Sequence, residues 1–548
     1  MSSAVSSSPP SAAAAITQGL YGSDISRLSP VAARLAQRDQ LKWIIAFTAA
    51  VGALMAIIDT SIVNVALPDI QGNLGATLTE VGWVSTSYTC ANVVLIPLTA
   101  WLNNRFGRKN YLVFSLIGFT ISSALCGMAT TLPMLIAARV LQGLTGGGLI
   151  AKAQAIMFES FPHSQQAAAQ AVFGIVTIAG PALGPVLGGY LTDTVGWHWI
   201  FFINLPVGAL AIVLAVIFLP RDSTDEIEHG RVDWTGIILL TIGLAGLQVV
   251  LEEGYEKDWF SSRFITGMAI TAGVGIVLFI WRELTTDKPA VDLRVLKHRS
   301  LAAGSVYSLV LGAGLFGILF SVPIFVQNNL QFTALQSGLL QTPAAIGSAI
   351  MMIFMGRIAR KGDARLYIVL GASITISAGF MLAGINPDTS ARSLSVALIV
   401  RNIGNTFIFL PLSLATIGPL PRNQITSGTG LFNLMRQLGS SIGIAAITTM
   451  LAKREAVHRA VLVEKITPYD PSALARVHAY ENLFRAHGAD PVHAHQQALA
   501  LLDRVVSNQA AILSFADIFR GVAIAFVLTL PLIFFLGKGR PAISTNSK

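Results

Sequence analysis

The sequence predicts an all-α integral membrane protein with fourteen membrane-spanning helices. Three observations predict it: the chain is 53% hydrophobic, only 12% of its 548 residues are charged, and long apolar runs recur along it. Soluble proteins carry about 25% charged residues, so this chain has too few charges to cover a water-exposed surface. A helix needs ~20 mainly apolar residues to cross a bilayer, and the apolar runs reach that length.

The fourteen predicted spans are numbered in chain order. They cover residues 43–65, 81–101, 111–129, 133–156, 168–191, 199–219, 234–251, 263–281, 302–327, 335–356, 366–384, 394–417, 426–451 and 514–537. Two connections are long: the polar stretch 220–233 and the stretch 452–513. Residues 1–42 are rich in Ala and Ser and are predicted to form a disordered cytoplasmic tail.

The positive charges of the short loops predict the orientation, because Lys and Arg accumulate in cytoplasmic loops. They occur in the N-terminal tail and after spans 2, 8 and 10, at Arg27, Arg34, Arg38, Lys42, Arg105, Arg108, Lys109, Arg282, Lys288, Arg294, Lys297, Arg299, Arg357, Arg360, Lys361 and Arg365. The short loops of the opposite side hold Lys257, Arg263 and Arg392. Both termini are therefore predicted to be cytoplasmic. The net charge of +9 is attributed to these loops, and no nucleic-acid partner is expected.

The stretch 452–513 is predicted to lie outside and to form two or three amphipathic helices. It contains five of the nine histidines: His458, His478, His487, His493 and His495. The spacing of His493 and His495 would allow a metal-binding or pH-sensing role. It is too loose to indicate a particular metal, so we expect a solvated helix surface, with neither a metal nor a cofactor.

Asp59 is the acid that lies well inside a predicted span, and an ionisable side chain at such a depth marks a functional site. Asp59 on span 1 and Arg139 on span 4 lie about seven and six residues from the outer ends of their spans. At 1.5 Å per residue, they share a depth to within ~5 Å. A carboxylate that faces an arginine can ionise and later take up a proton, as proton coupling requires. The alternative is a static structural ion pair.

Two spans carry a polar stripe on one helical face. On span 4, Gln142, Gly143 and Gly146 share the face of Arg139. On span 13, the stripe consists of Thr429, Asn433, Arg436, Ser440 and Gly443. Close helix packing explains the glycines of span 4 but not Arg139. We therefore expect a substrate cavity lined by Asn64, Gln142, Arg401, Asn433 and Arg436. For span 13, the alternative to a cavity is interhelical hydrogen bonding alone.

Span 5 contains the glycine- and proline-rich stretch 174-GIVTIAGPALGPVLGG. Gly180, Gly184 and Gly188 recur every four residues, and Pro181 and Pro185 follow the first two of them. The glycines permit close approach of another helix, while the prolines remove backbone hydrogen bonds and bend span 5. A bent, closely packed helix could seal or hinge a cavity, and close helix packing alone is the default interpretation of such a stripe.

Five stretches, in order along the chain, resemble the major facilitator superfamily, and within it the fourteen-span drug:proton antiporters of EmrB/QacA type. They are 58-IDTSIVNVALP, 98-LTAWLNNRFGRK, 138-ARVLQGLTGGG, 174-GIVTIAGPALGPVLGG and 196-GWHWIFFINLPVG. The stretch 421-PRNQITSGTGLFNLMRQLGSSIG in the second half is also similar to this group. The resemblance covers residues 43–537 and is closest to EmrB-like multidrug efflux pumps.

The resemblance implies the major facilitator fold, with two six-helix bundles around a central cavity. Residues 43–219 would form the first bundle, 220–299 a cytoplasmic linker with the extra spans 7 and 8, and 300–548 the second bundle with its outer loop. The implied function is proton-coupled export of lipophilic compounds across the inner membrane by alternating access.

The resemblance also implies roles for individual residues. It assigns proton coupling to Asp59 and Arg139. It assigns the antiporter motif to Gly180, Pro181, Gly184, Pro185, Gly188 and Gly189, and the cytoplasmic loop motif to Arg105, Gly107, Arg108 and Lys109. The chain departs from the loop motif at Asn104, where the family has an acid that holds the cytoplasmic side closed, and at Ala100, where the family has a glycine.

Family members from double-membrane bacteria work with a periplasmic adaptor and an outer-membrane channel, and the stretch 452–513 is the candidate docking surface for such an adaptor. Two other functions compete with multidrug export. One is export of a single natural compound, such as a fatty acid, a metabolite or a siderophore. The other is an intramembrane enzyme, which would need clustered acids or a nucleophile–base pair that the predicted spans lack.

Overall fold

The structure is a computed structural model that describes residues 28–36, 40–222, 232–359, 362–467 and 469–537. Over these ranges the chain is helical and contains no β-strand. Each helix that coincides with a predicted span keeps the number of that span. This all-helical architecture confirms the predicted fold class.

Every predicted span coincides with a helix. Spans 1 to 7 are Leu41–Leu74, Leu78–Phe106, Arg108–Gly127, Leu132–Gly146 with Leu149–Glu159, Gln166–Val195, Trp199–Phe202 with Asn204–Phe218, and Trp234–Glu253. Spans 8 to 14 are Arg263–Thr285, Arg299–Asn328, Ala334–Ile358, Ala364–Ala383, Ala391–Ile417, Ile425–Glu464 and Pro491–Thr529. The remaining helices are Pro30–Ala36 and Pro471–Ala486, with short 3-10 helices at Trp259–Ser261, Leu293–Lys297, Arg422–Gln424 and Leu530–Phe535.

Thirteen of the described helices are long and apolar enough to cross a membrane. The helix of span 13, Ile425–Glu464, is not among them, although it is 40 residues long and packs against both bundles. The polar stripe predicted for this span, which includes Asn433 and Arg436, lowers its mean hydropathy. The count of fourteen membrane crossings therefore stays a prediction.

Local sequence explains where several helices begin and end. Span 2 begins at a capping box, in which Thr77 accepts from the amide of Glu80 and the Glu80 carboxylate accepts from the amide of Thr77. These contacts satisfy amides that a helix leaves unpaired at its N-terminus. Span 14 begins with Pro491 after Asp490, a residue whose carboxylate caps the first turn. Span 1 ends at Gly75, whose φ of 62° is favourable for glycine.

The two halves of the chain repeat one packing pattern. In the first bundle, span 1 packs on span 5, span 2 on span 4 and span 3 on span 6. In the second bundle, the equivalent pairs are spans 9 and 13, 10 and 12, and 11 and 14. The bundles meet through spans 2 and 13 and through spans 5 and 10. Span 2 in the first bundle corresponds to span 10 in the second, and span 5 corresponds to span 13, so the two contacts are equivalent. Span 7 packs on span 8 and also contacts spans 2 and 13, so the extra pair lies against both bundles.

Successive spans run in opposite directions, which defines two faces. We call the face at which span 1 begins the near face and the opposite one the far face. Span 4 is interrupted in its middle at Gly147 and Gly148, where span 2 approaches closely: a Cβ on Gly147 would lie 2.7 Å from the carbonyl oxygen of Asn92. Span 6 is interrupted near the far face, between Trp199–Phe202 and Asn204–Phe218.

The segments outside the spans differ in how much of them the structure describes. In the tail, Pro30–Ala36 is a helix rather than the disordered segment expected, with Ala32 fully buried, while residues 1–27 and 37–39 lie outside the described residues. Residues 223–231 of the stretch 220–233 also lie outside them. In the stretch 452–513, three helical segments occur: spans 13 and 14 continue into it, and Pro471–Ala486 lies between them.

Candidate functional site

Asp59 and Arg139 form a buried ion pair between spans 1 and 4. Arg139 Nη1 donates to Asp59 Oδ2 over 2.6 Å. The side chain of Asp59 is 0% exposed and that of Arg139 is 1% exposed. The structure therefore brings together the two residues that the sequence places at one depth, and it does so away from solvent.

Two amides complete the hydrogen bonding of the Asp59 carboxylate. Gln142 Nε2 donates to Asp59 Oδ1 over 2.8 Å, and Asn204 Nδ2 donates to the same oxygen over 3.0 Å. Asn204 on span 6 also donates to Ser123 Oγ on span 3 over 3.0 Å. Four helices of the first bundle thus meet around one carboxylate. Asn204 was not predicted from the sequence, although it is a polar amide side chain within the apolar stretch 196-GWHWIFFINLPVG.

The Arg139 guanidinium is held from several directions. Its Nε donates to the carbonyl oxygen of Val84 over 3.1 Å, and its Nη1 also donates to Gln142 Oε1 over 2.7 Å. The ring of Tyr88 lies 4.1 Å from its central carbon, on the distance scale of a cation–π contact. These contacts keep Arg139 in place if Asp59 loses its charge. The arrangement can therefore exchange a proton at Asp59 without losing the cation beside it.

The antiporter-motif glycines of span 5 pack on span 1 beside Asp59. A Cβ on Gly184 would lie 2.7 Å from Ser61 Cβ and 2.9 Å from the amide nitrogen of Ile62. A Cβ on Gly180 would lie 3.0 Å from Ile57 Cγ2, and one on Gly188 would lie 3.0 Å from the carbonyl oxygen of Ile62. The stripe thus fixes span 1 on both sides of Asp59. Pro181 is buried and Pro185 half-buried, while a Cβ on Gly189 would have no neighbour within 4 Å.

The predicted cavity residues do not all lie at one place. Arg401 lines a cavity between the bundles, together with Ile178 and Ala182 of span 5. Asn64 is exposed in the far half of span 1, where its Oδ1 accepts from Ser85 Oγ over 3.1 Å. Gln142 belongs to the Asp59 site, as described above. Asn433 and Arg436 lie at a contact between the bundles.

That contact is a chain of hydrogen bonds in the near half, which we call the near seam. Arg436 Nη2 donates to Asn433 Oδ1 over 2.7 Å, and Asn433 Nδ2 donates to Gln154 Oε1 over 2.6 Å. Gln154 Nε2 in turn donates to Ser413 Oγ over 2.8 Å, and Ser413 Oγ donates to Gln170 Oε1 over 3.3 Å. The chain crosses between the bundles three times. Gln154, Gln170 and Ser413 were not predicted from the sequence, although two of them are amides in apolar spans.

The loop motif after span 2 is supported by an acid from another part of the chain. The Asp222 carboxylate accepts from the amides of Arg108, Lys109 and Asn110, over 2.8, 3.1 and 3.1 Å, and so caps span 3. Lys109 Nζ donates to the carbonyl oxygens of Val216 and Leu219 at the end of span 6. Asn104, which stands where the family has an acid, is exposed. Asp222 therefore supplies a carboxylate to this loop from the segment after span 6.

Two other members of the loop motif contribute differently. Arg108 forms an ion pair with Glu159, 3.3 Å apart, and Glu159 Oε1 accepts from Thr426 Oγ1 of the second bundle over 2.9 Å. Gly107 has a φ of 87°, which an L-residue rarely adopts. Arg105 is half-buried. The loop motif is thus linked through Glu159 to Thr426 of the second bundle.

Span 7 carries acids that sequence reasoning missed, because they lie at the edge of the predicted span. Glu253 is buried, and its Oε1 accepts from Thr86 Oγ1 of span 2 over 3.1 Å. The Glu252 carboxylate accepts from Gln248 Nε2 over 2.7 Å, and that nitrogen also lies 2.6 Å from Ser441 Oγ of span 13. These contacts attach the extra helix pair to both bundles in the far half.

The histidines of the stretch 452–513 contact carboxylates. His478 Nδ1 and His495 Nδ1 lie 3.1 and 2.5 Å from the two oxygens of Glu481, and His493 contacts Asp490. His493 and His495 therefore contact different acids. No group of three or more metal-ligating residues occurs in the described part of the chain.

Comparisons with known proteins agree on one family. The family model described as "Major Facilitator Superfamily" matches residues 49–444. "Multidrug export protein EmrB" of Escherichia coli strain K12 is 34% identical over 482 residues, which are 88% of this chain and 92% of that protein. "Fatty acid resistance protein FarB" of Neisseria gonorrhoeae is 31% identical over 494 residues, 90% of this chain and 96% of that protein.

A solved structure shares the fold. The crystal structure of the human organic anion transporter MFSD10 (TETRAN) matches with a TM-score of 0.59, covering 90% of this chain and 99% of that one. Its sequence identity is 13%, so the match concerns the fold alone.

Proposed function

The chain belongs to the Major Facilitator Superfamily, and from that premise we propose that it is a proton-coupled multidrug efflux transporter. It exports lipophilic compounds across the inner membrane by alternating access, in exchange for protons. The relatives support this proposal, since those named multidrug export proteins in Escherichia coli and Haemophilus influenzae are 34% and 33% identical to it over 88% of the chain. As a member of a transporter family it is a multi-pass membrane protein and not an intramembrane enzyme.

The sealed ion pair of Asp59 and Arg139 is the observation that carries the proposal of proton coupling. An unpaired charge inside a membrane protein is strongly unfavourable, and here Arg139 Nη1 lies 2.6 Å from Asp59 Oδ2, so the two buried charges balance each other. When the cavity opens to the acidic side, a proton binds Asp59 and removes the charge that faces Arg139. Binding and release of that proton change the interaction between spans 1 and 4, so they can bias the bundle between two conformations.

The near seam supports alternating access. In this structure the near halves of the bundles are joined by hydrogen bonds through Gln154, Asn433 and Ser413. We infer from the loop charges that the near face is cytoplasmic and that both termini lie there. The described conformation is then closed to the cytoplasm, and export requires a second conformation in which this seam separates and the side chains of Asn433 and Arg436 line the cavity with Asn64, Gln142 and Arg401.

The stretch 452–513 supports a proposal about partners. Spans 13 and 14 continue as helices beyond the predicted membrane region, to Glu464 and from Pro491, and Pro471–Ala486, which lies between them in the sequence, packs on the helix of span 14. This helical projection offers a preformed surface on which a periplasmic adaptor, leading to an outer-membrane channel, can dock. Deletion of 458–508 should impair resistance in cells that contain such an adaptor. Normal resistance in those cells would contradict docking.

A second candidate function is dedicated export of one natural compound, such as a fatty acid, a metabolite or a siderophore. The observation in its favour is the relative named "Fatty acid resistance protein FarB", which is 31% identical over 90% of the chain. The two functions share the proton site and differ in the breadth of the substrate range.

A resistance screen tests the proposed function. Cells that lack their own efflux pumps would express wild type or Asp59→Asn and grow on a panel of unrelated lipophilic compounds, with membrane content of the transporter measured by immunoblot. We expect wild type to raise resistance to several unrelated compounds and Asp59→Asn to raise resistance to none. Resistance to a single chemical class would favour the dedicated exporter, and resistance to no compound on the panel would contradict multidrug export.

A further inference from the structure

Two adjacent acids at the far end of span 7 reach different bundles. Glu253 Oε1 accepts from Thr86 Oγ1 of span 2 over 3.1 Å, and the Glu253 side chain is 3% exposed. Glu252 Oε1 accepts from Gln248 Nε2 over 2.7 Å, and that nitrogen also donates to Ser441 Oγ of span 13 over 2.6 Å. The last turn of span 7 therefore joins the first bundle to the second.

Thr86 belongs to the turn of span 2 that holds Arg139. Arg139 Nε donates to the carbonyl oxygen of Val84 over 3.1 Å, and the ring of Tyr88 lies 4.1 Å from the central guanidinium carbon. Thr86 lies between these two residues in the sequence and is 4% exposed. Span 7 therefore contacts span 2 at the turn that positions the guanidinium beside Asp59.

The two carboxylates are not explained by helix attachment alone. Glu253 Oε2 has no hydrogen-bond donor among the described residues, and its ion-pair partner is Lys257, whose Nζ lies 3.5 Å away. Glu252 belongs to no ion pair in the described part of the chain. Well-packed apolar side chains attach helices at least as well as buried charges do. Acids inside membrane-spanning helices therefore indicate a function.

The turn that follows span 7 is fixed against both bundles. Trp259 Nε1 donates to Thr449 Oγ1 of span 13 over 3.0 Å, and Lys257 Nζ lies 5.9 Å from the ring of Trp83 on span 2. Asp258 and Trp259 have positive φ angles of 54° and 50°. Such angles are unfavourable for non-glycine residues and persist only where the surrounding contacts impose them. These contacts hold the end of span 7 in one position between spans 2 and 13.

We propose that Glu252 and Glu253 are positioning residues for proton coupling, which connect the turn of span 2 beside Arg139 to span 13 of the second bundle. Protonation of Asp59 removes the charge that faces Arg139 and so changes the load on that turn. Span 7 transmits the change to span 13, the helix that carries Asn433 of the near seam. The physical basis is a contiguous set of contacts between two bundles that have two arrangements.

The extra helix pair then takes part in coupling, instead of only lying against the bundles. This inference rests on the proposed proton coupling at Asp59 and adds a path from that site to the near seam.

Substitutions at the two ends of this path test it. Thr86→Val removes the hydroxyl that donates to Glu253 and keeps the shape of the side chain, while Ser441→Ala removes the contact with span 13. The probe is the compound of the resistance panel to which wild type gives the strongest resistance. Its downhill transport and its accumulation under an imposed proton gradient are both measured in proteoliposomes.

We expect each variant to lower gradient-driven accumulation by roughly tenfold, as for loss of a hydrogen bond to a charged group, and to leave downhill transport at the wild-type rate. Glu253→Ala should show the same split between the two measurements. If the two contacts act in series, the double variant of Thr86→Val and Ser441→Ala should accumulate as much as the weaker single variant.

Three outcomes would overturn the inference. They are wild-type accumulation by Thr86→Val, equal losses of downhill and gradient-driven transport, which would indicate a merely structural role, and a double variant whose loss is the product of the two single losses. Each of them leaves proton coupling at Asp59 standing, since that proposal is contradicted only if Asp59→Asn still accumulates the probe under the gradient.

Three control variants separate the contact from its surroundings. Thr86→Ser keeps the hydroxyl and should restore accumulation. Thr89→Val makes the same change three residues later, where the hydroxyl donates to the carbonyl oxygen of Ser85 in its own helix, and should behave as wild type. Glu256→Gln removes an exposed acid close to Glu253 in the sequence and should also behave as wild type. A loss in Thr86→Ser or Thr89→Val equal to that of Thr86→Val would likewise overturn the inference.

Discussion

The side-chain amide of Asn433 in the second bundle donates to Gln154 Oε1 in the first bundle over 2.6 Å, and this bond lies at the centre of the near seam. Both side chains are almost fully buried. Ser413 and Gln170 continue the chain of hydrogen bonds across the same contact. Transport by alternating access requires this contact to break and re-form in each cycle.

A cross-link at this contact should therefore stop transport. With Cys90 and Cys126 replaced by Ala, the pair Gln154→Cys and Asn433→Cys should be joined by a short bifunctional thiol reagent or by oxidation. We expect transport in proteoliposomes to fall to background on cross-linking and, for the disulfide, to return on reduction. Each single cysteine variant is the control. Full transport by the cross-linked protein would show that the near seam does not open during the cycle.

The antiporter-motif glycines should differ in their sensitivity to a methyl group. Gly184→Ala would place a Cβ 2.9 Å from the amide nitrogen of Ile62, so span 5 must move away from span 1 beside Asp59. Overpacking of this kind costs about 1–3 kcal/mol. We expect a lower melting temperature and a large loss of transport.

Gly189→Ala is the matched control in the same motif, since nothing lies within 4 Å of its added Cβ. It should melt and transport like wild type. Equal losses in the two variants would show that the motif acts through something other than contact with span 1.

Replacement of Arg139 should destabilise the protein, because the buried carboxylate of Asp59 then lacks its ion-pair partner. Loss of one member of a buried ion pair costs about 3–5 kcal/mol, because the other charge stays buried without a partner. Arg139→Ala should therefore melt well below wild type in detergent, and the double variant Asp59→Asn with Arg139→Ala should recover part of that loss. A double variant that is less stable than Arg139→Ala would show that the carboxylate is not the cause.

The helices of the stretch 452–513 should respond to acidic pH through Glu481. Hydrogen bonds from His495 and His478 hold the pKa of Glu481 below its usual value. A carboxyl group whose pKa falls on folding stabilises the native state above its unfolded pKa, and that contribution is lost as the pH falls through the lowered pKa. We expect Glu481→Gln to make Pro471–Ala486 easier to cleave by protease at pH 7. The difference in cleavage rate between the variant and wild type should shrink below about pH 4.3.

The ratio of cleavage rates between variant and wild type at each pH cancels the pH dependence of the protease. Glu464→Gln, at an exposed position of the same stretch, is the control and should cleave like wild type. A difference between Glu481→Gln and wild type that grows on acidification would contradict this role of Glu481.

The sequence predicts the helices well because apolar length is a strong and local signal. Each predicted span coincides with a helix, and the depth of Asp59 and Arg139 follows from helical rise alone. Helical interruptions are harder to foresee. The break at Gly147 lies where Asn92 of span 2 approaches closely, a tertiary contact that no local pattern contains.

The rest of the candidate site depends on which helix neighbours which. Asn204 completes the hydrogen bonds of Asp59 only because span 6 lies beside span 1, and Gln154 meets Asn433 only because the bundles face each other. Asp222 caps the start of span 3 from more than 100 positions away in the sequence. A polar residue in an apolar run can be recognised from the sequence. Its hydrogen-bond partner can be identified only once the fold is known.

Proton-driven accumulation of substrate is the most direct test of proton coupling at Asp59. Purified wild type and Asp59→Asn would be reconstituted in liposomes, and uphill substrate transport would be measured with and without an imposed proton gradient. We predict that the gradient drives accumulation by wild type, while Asp59→Asn equilibrates substrate downhill and gains nothing from the gradient. Gradient-driven accumulation by Asp59→Asn at the wild-type level would contradict the role of Asp59 as the coupling carboxylate.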